Sequence, residues 1–183
     1  MSLACSRSLF FMAFIAGAIA LGASYYLEYA VGLAPCSLCL VQRLFLTLLC
    51  VCSGVAAVHG PKRIGLGFYW LLTLGATLGG TTAAWRQVLI QSDPVLQLHH
   101  CPAVPEAFLG GLSWLCALQR MLSGGAECAE ITWTLFDLSI PEWSLLFFVA
   151  VSILAVYQLL RLVWTALQRP LSGEASHPLL LRD

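Results

Sequence analysis

Residues 34–58 read APCSLCLVQRLFLTLLCVCSGVAAV. From Leu38 to Val58 the segment is almost wholly apolar, and Arg43 is its single charge. About 20 such residues, rising 1.5 Å each, cross the ~30 Å hydrocarbon layer of a bilayer as a helix. Three further segments have the same character, about Ser8 to Leu27, Ile64 to Trp85 and Trp143 to Trp164. Backbone polar groups must be satisfied internally in lipid, so all four are expected to be helices.

Composition agrees. Of 183 residues, 60% are hydrophobic and 10% charged, and mean hydropathy is +0.86. Soluble domains carry about 25% charged residues, so this chain cannot coat a globule with polar surface. A formal net charge of +0 supplies no basic face for nucleic acid. The expected fold class is an all-α integral membrane protein, a single domain over 1–183 built as a four-transmembrane-helix bundle in the lipid bilayer. The first span is too long for a signal-peptide core and feeds directly into the next span, so it is read as an uncleaved helix.

Basic residues orient the bundle. Arg7, Lys62, Arg63, Arg161, Arg169 and Arg182 fall on one side, and Arg43, Arg86 and Arg120 on the other. Six against three puts residues 1–7, 59–63 and 165–183, with both termini, in the cytoplasm. The loops at about 28–37 and 86–142 then face outward. Within the longer loop, Phe108, Leu112, Leu115, Leu118 and Leu122 recur at helical spacing, which predicts a short amphipathic helix on the membrane surface.

Eight cysteines are sorted by this topology. Cys5 is cytoplasmic, while Cys50 and Cys52 lie in a span as small packing residues. Cys36, Cys39, Cys101, Cys116 and Cys128 fall on the outer side, where disulfides persist if that side is a periplasm. A structural bridge from Cys101 to Cys128 would restrict the unfolded chain by about 3.5 kcal/mol. A four-thiolate zinc site would call for two short Cys-x-x-Cys hairpins, and only one short pair exists, so no metal is expected.

The local pair is a poor staple, because a Cys-x-x-Cys ring removes little chain entropy. It suits thiol–disulfide exchange instead. Pro35 fits a helix start, which predicts Cys36 and Cys39 in a first turn whose dipole favours a thiolate. Cys36, Cys39 and Arg43 stand at i, i+3 and i+7, one stripe of a helix. Arg43 could snorkel to the interface on its stem. A charge inside a span, on a stripe with two thiols, favours function.

These residues resemble a family. The segment PCSLCLVQR (35–43), a long loop with Cys101 and Cys128, and CAEITWTLFDLSIPEWSLL (128–146) are similar to the DsbB disulfide bond formation proteins of Gram-negative inner membranes. The likeness covers nearly the whole chain. It implies a quinone-dependent, protein-disulfide-generating oxidoreductase of the bacterial cell inner membrane. A Cys101–Cys128 disulfide would reoxidise a periplasmic DsbA-type thiol oxidase through a mixed disulfide at Cys101. Electrons would pass to Cys36–Cys39 and then to a ubiquinone-type quinone or menaquinone. The resemblance assigns Cys39 and Arg43 to the quinone and sets Gln97 in the family's quinone-side loop. Arg86, just after Trp85 at the outer boundary, is read as a support of the quinone site or as an interfacial anchor. Asp93 stands where a histidine is expected, His99 and His100 are displaced toward Cys101, and Cys116 is an additional thiol. A vitamin K epoxide reductase-type protein also sets a Cys-x-x-Cys beside a quinone, but its second pair and span order differ. The alternative from another class is a non-enzymatic tetraspan scaffold with two structural disulfides.

Overall fold

The computed structural model describes residues 3–32, 35–92, 128, 134–135 and 137–168, with side chains from residue 6 onward in the first helix. The elements are α1 (Leu3–Tyr29), α2 (Ser37–His59), α3 (Arg63–Ser92), a hairpin of β1 (Thr134–Leu135) and β2 (Leu138–Ser139), and α4 (Ile140–Leu167). All four helices are long and apolar enough to cross a membrane. Their outward faces carry exposed Phe11, Ile19, Leu44, Val51, Ile153 and Val163. Such a continuous apolar surface belongs in hydrocarbon, not water.

Among the described residues, three layers of buried side chains hold the bundle together. At the end nearest the α2–α3 link, Phe10 stacks on Trp70 at 4.2 Å among Ala56, Leu66 and Ala155. The middle layer joins Leu46, Leu49, Ala76, Phe148 and Val151. The far layer is Cys36, Leu38, Ile90 and Cys128, with Cys39 against it. The α2–α3 link turns on Gly60, whose φ of 58° is left-handed and whose N–H caps the Ala56 carbonyl. Glycine meets that φ without a Cβ penalty. Arg7 Nε donates to the neighbouring Ala57 carbonyl at 3.1 Å, placing a cation at the negative end of α2.

Gly79 and Gly80 set the spacing of the central helices. A Cβ on Gly79 would lie 2.4 Å from the Phe45 ring, and one on Gly80 2.5 Å from Phe148. Gly75, one turn earlier, faces nothing within 4 Å. Of Gly75 and Gly79, spaced as a small-xxx-small pair in the third span, only Gly79 meets a neighbouring helix closely, together with Gly80 after it. Cys50 and Cys52 are buried thiols in α2. Cys50 meets α1 at Gly17, where a Cβ would approach its sulfur to 2.8 Å.

Two sequence expectations need correction. The third span was expected to end at Trp85, with 86–142 as loop. Helix α3 instead continues to Ser92, and α4 begins at Ile140. The extension persists because its buried stripe does: Ala83, Ala84, Gln87 and Ile90 are all buried. Helix α2 starts at Ser37, two residues beyond the expected start at Pro35, with Cys36 as its N-cap. Pro35 therefore precedes the cap, and only Cys39 lies in the first turn. The amphipathic helix of the long loop falls outside the described residues.

Candidate active site

The far layer of the bundle gathers three of the four cysteines singled out from sequence. Cys36 and Cys39, as thiols, have their sulfurs 3.0 Å apart at the start of α2. Cys36 and Cys128 are buried, and Cys39 is partly exposed. Cys128 reaches the pair from the long loop. It hydrogen-bonds with Cys36, and its sulfur lies 3.8 Å from Ser37 Oγ. Cys101, the fourth, lies outside the described residues, as does Gln97.

The Cys36 thiol is pushed above its ordinary range, first by the hydrogen bond with Cys128, then by Cys39 and by burial. Burial disfavours the anion, and both sulfur contacts hold the proton on Cys36. The two cysteines of the pair are thus unlike, with Cys36 enclosed at the cap and Cys39 open at one side.

Two glutamines under the pair were not singled out from sequence. Gln87 of α3 directs Nε2 at both sulfurs, 3.4 Å from Cys36 and 3.4 Å from Cys39. Its Oε1 accepts from Gln42 Nε2 at 2.7 Å. Gln42 Oε1 in turn accepts from Ser144 Oγ of α4 at 2.6 Å. Both amides are more than nine-tenths buried. Gln42 within its span calls for a polar partner without naming it, and Gln87 lies beyond the expected end of the third span.

Arg43 turns to α1. Its Nε donates to Ser24 Oγ at 2.6 Å, its Nη2 to the Ser24 carbonyl at 2.9 Å, and its Nη1 to the Glu28 carboxylate. The Tyr25 ring lies 5.0 Å from the guanidinium carbon. The stripe of Cys36, Cys39 and Arg43 thus divides, with the thiols bonded toward α3 and Cys128 and the arginine toward α1. Glu28 had a sequence signal: the link between the first two spans is short, so an acid just before it opposes a base just after it. Arg86 is exposed on α3, beside Gln87.

The hairpin and α4 frame the site. Asp137 takes a positive φ of 62° at the turn, where aspartate is among the tolerated residues. Ser139 caps α4, with Glu142 returning to its backbone N–H at 2.6 Å in a capping box. Ser139 Oγ also lies 3.2 Å from Gln91 Oε1 of α3, tying the start of α4 to the end of α3.

The arrangement can therefore exchange disulfides: two close thiols at a helix start, a third against them, and donors beneath. Comparisons with known proteins agree. Residues 6–158 match the family model described as "Disulfide bond formation protein DsbB". A protein of Pseudomonas fluorescens called "Disulfide bond formation protein B 2" is 72% identical over 183 residues, covering 100% of both chains. "Disulfide bond formation protein B 1" of Pseudomonas aeruginosa is 42% identical over 161 residues, covering 88% of this chain and 99% of the relative. "Disulfide bond formation protein B" of Stutzerimonas stutzeri is 40% identical over the same length, with the same coverage. With its four membrane-length helices, this chain is a multi-pass membrane protein belonging to the DsbB family, and its role lies in disulfide bond formation.

Proposed function

We propose that this protein reoxidises a periplasmic DsbA-type dithiol oxidase and passes the electrons through its two cysteine pairs to a membrane quinone. The inner membrane, with both termini cytoplasmic, is the proposed location. The observation that carries the reading is Cys128 buried against Cys36 and Cys39, because it sets one cysteine of the proposed loop pair beside the membrane pair.

The exchange balances in thiols and disulfides. A thiolate of the partner attacks Cys101 of a Cys101–Cys128 disulfide, forming a mixed disulfide and releasing Cys128. Cys128 attacks the Cys36 sulfur, the Cys36–Cys39 bond breaks, and Cys39 leaves as a thiolate. The partner's second thiolate resolves the mixed disulfide, releasing an oxidised partner and free Cys101. Cys101 then attacks Cys128, restoring the loop disulfide and leaving Cys36 and Cys39 reduced. Each step needs an attacking thiolate and a reachable disulfide.

The residues present fit a quinone. Cys39 is open on one side, and Leu40 and Leu44 beside it on α2 are exposed apolar surface. Three of the five N–H groups of Arg43 are engaged by the contacts above, and the others can donate. Cys39, Arg43, Arg86 and Gln97 are the residues proposed to hold the ring. A bound quinone supplies the two-electron acceptor that returns Cys36 and Cys39 to a disulfide.

The deciding experiment is oxidation of a reduced DsbA-type partner by the purified protein with added quinone. Quinone-dependent turnover is the expected result. A scaffold would show bridges that resist mild reductant and no turnover.

Arg43 has its own test. Arg43→Ala should raise the apparent KM for quinone about ten-fold, the worth of one charge-assisted hydrogen bond. Glu28→Gln should lower stability by about 2 kcal/mol, because it leaves the guanidinium without its counter-ion, while KM stays close to that of the parent. An unchanged KM in Arg43→Ala would assign the residue to α1–α2 packing alone.

A further inference from the structure

We infer that Gln87 is a catalytic residue of the first cysteine pair, donating from Nε2 to the Cys39 sulfur as it leaves as a thiolate, with Gln42 and Ser144 as its positioning residues. The inference rests on the thiol-exchange reading above and assigns part of its chemistry to α3 and α4.

Ser144 Oγ lies 2.6 Å from Gln42 Oε1 and 2.9 Å from the Pro141 carbonyl, with one proton for the two acceptors, and Gln42 Nε2 donates to Gln87 Oε1 at 2.7 Å. With its oxygen taken, Gln87 presents its N–H groups to sulfur, 3.4 Å from both Cys36 and Cys39. Contacts from α2 and α4 thus lead to a single amide on α3. The Gln42–Gln87 bond alone would serve to hold α2 to α3, and it would leave Nε2 with no need of two thiols.

The chemistry of sulfur separates these roles. A neutral thiol is a weak acceptor, so the N–H···S contacts add little while both cysteines are protonated. In that state the Cys39 thiol can itself donate to Gln87 Oε1, at 3.6 Å. A thiolate is a full anion, and a donor already aimed at it forms a charge-assisted bond. The amide thus favours the state in which the Cys36–Cys39 bond has opened, which is where a catalytic interaction acts. Burial strengthens it, because Gln87 is only 4% exposed and little water competes. Arg43, four residues beyond Cys39, spends the donations described above on Ser24 and Glu28 of α1.

No bond to carbon forms or breaks at Gln87. Its role is to stabilise the reduced pair relative to the disulfide, which makes the pair a stronger oxidant. Gln87→Met keeps the length of the side chain and removes the donor. In full-length protein carrying Cys101→Ser and Cys128→Ser, the pair is equilibrated with dithiol and disulfide buffers and its redox state read by alkylation and mass. Gln87→Met should shift the equilibrium about ten-fold toward the disulfide, equivalent to ~30 mV for a two-electron couple. Gln42→Met should shift it the same way by less. In a Cys36→Ser protein, Gln87→Met should also slow alkylation of Cys39 by iodoacetamide about ten-fold at fixed pH, followed on the Cys39 peptide.

An equilibrium within two-fold of the parent for Gln87→Met overturns the inference. If that variant does not assemble, Gln87→Asn, which keeps the amide but withdraws it by one methylene, decides by the same measurement. A parent-like equilibrium in Gln87→Asn then overturns it. Neither measurement uses quinone or a partner protein, so an idle Gln87 and a failed relay give different results.

Discussion

Cys36→Ser and Cys39→Ser proteins are expected to lose quinone-dependent oxidation of a partner dithiol by about a thousand-fold or more, as residues that act as one unit do. The two losses should differ in what accumulates. Without Cys39, the Cys36 thiolate can still attack Cys128, which lies against it, breaking the Cys101–Cys128 disulfide and releasing Cys101 as it joins Cys36 to Cys128. A peptide linking residues 36 and 128 should therefore build up in Cys39→Ser protein and be absent from Cys36→Ser protein. Both variants should still form a mixed disulfide between Cys101 and the partner. Cys50→Ser and Cys52→Ser, buried in the middle of α2, should turn over at the parent rate. Normal turnover in the Cys36 or Cys39 variants would end the relay reading.

The second large effect is structural. Gly80→Leu places a branched side chain where even a Cβ would lie 2.5 Å from the Phe148 ring, and Gly79→Leu does so at 2.4 Å from Phe45. Phe148 is buried and Phe45 partly buried in the bundle, so a bulky side chain at either glycine pushes α3 away from its neighbour. Overpacking of this kind costs about 3 kcal/mol, or roughly 6–12 °C in thermal midpoint for a chain of this size. Adding Phe148→Ala to Gly80→Leu should recover part of that loss, because it reopens the space. Gly75→Ala, with nothing within 4 Å, should melt like the parent. A parent-like melt of Gly80→Leu would mean that α3 and α4 do not pack through this glycine.

The reach of the sequence follows from which signals are periodic or local. Four apolar runs gave four helices, because a membrane span needs only length and hydropathy. The Cys-x-x-Cys pair was legible because both thiols belong to one short segment. The end of α3 was not, since Arg86, Gln87 and Gln91 lower the hydropathy at the point where packing continues through Ala84, Gln87 and Ile90. Gln42 and Gln87 lie on different helices, 45 residues apart in the chain, and neither is informative without the other. Arg43 shares a stripe with the thiols, but a long side chain can leave its stripe, and the acid that draws it away is on α1. The approach of Cys128 to Cys36 spans the long loop and has no spacing rule that could announce it. Cys101 was singled out by topology and Gln97 by the family resemblance, and both lie outside the described residues.

The anchoring of β2 and the start of α4 has a kinetic consequence. Ser139 is bonded to Gln91 on α3 and capped by Glu142, so the chain leading back to Cys128 starts from a fixed point. About 11 residues separate the two, a reach of at most ~40 Å when fully extended. Cys128 therefore meets Cys36 at an effective concentration set by its tether, on the order of millimolar for a short connection. Exchange between the two pairs should be first order and insensitive to protein concentration, whereas capture of the soluble partner remains second order. Dilution should slow only the encounter with the partner.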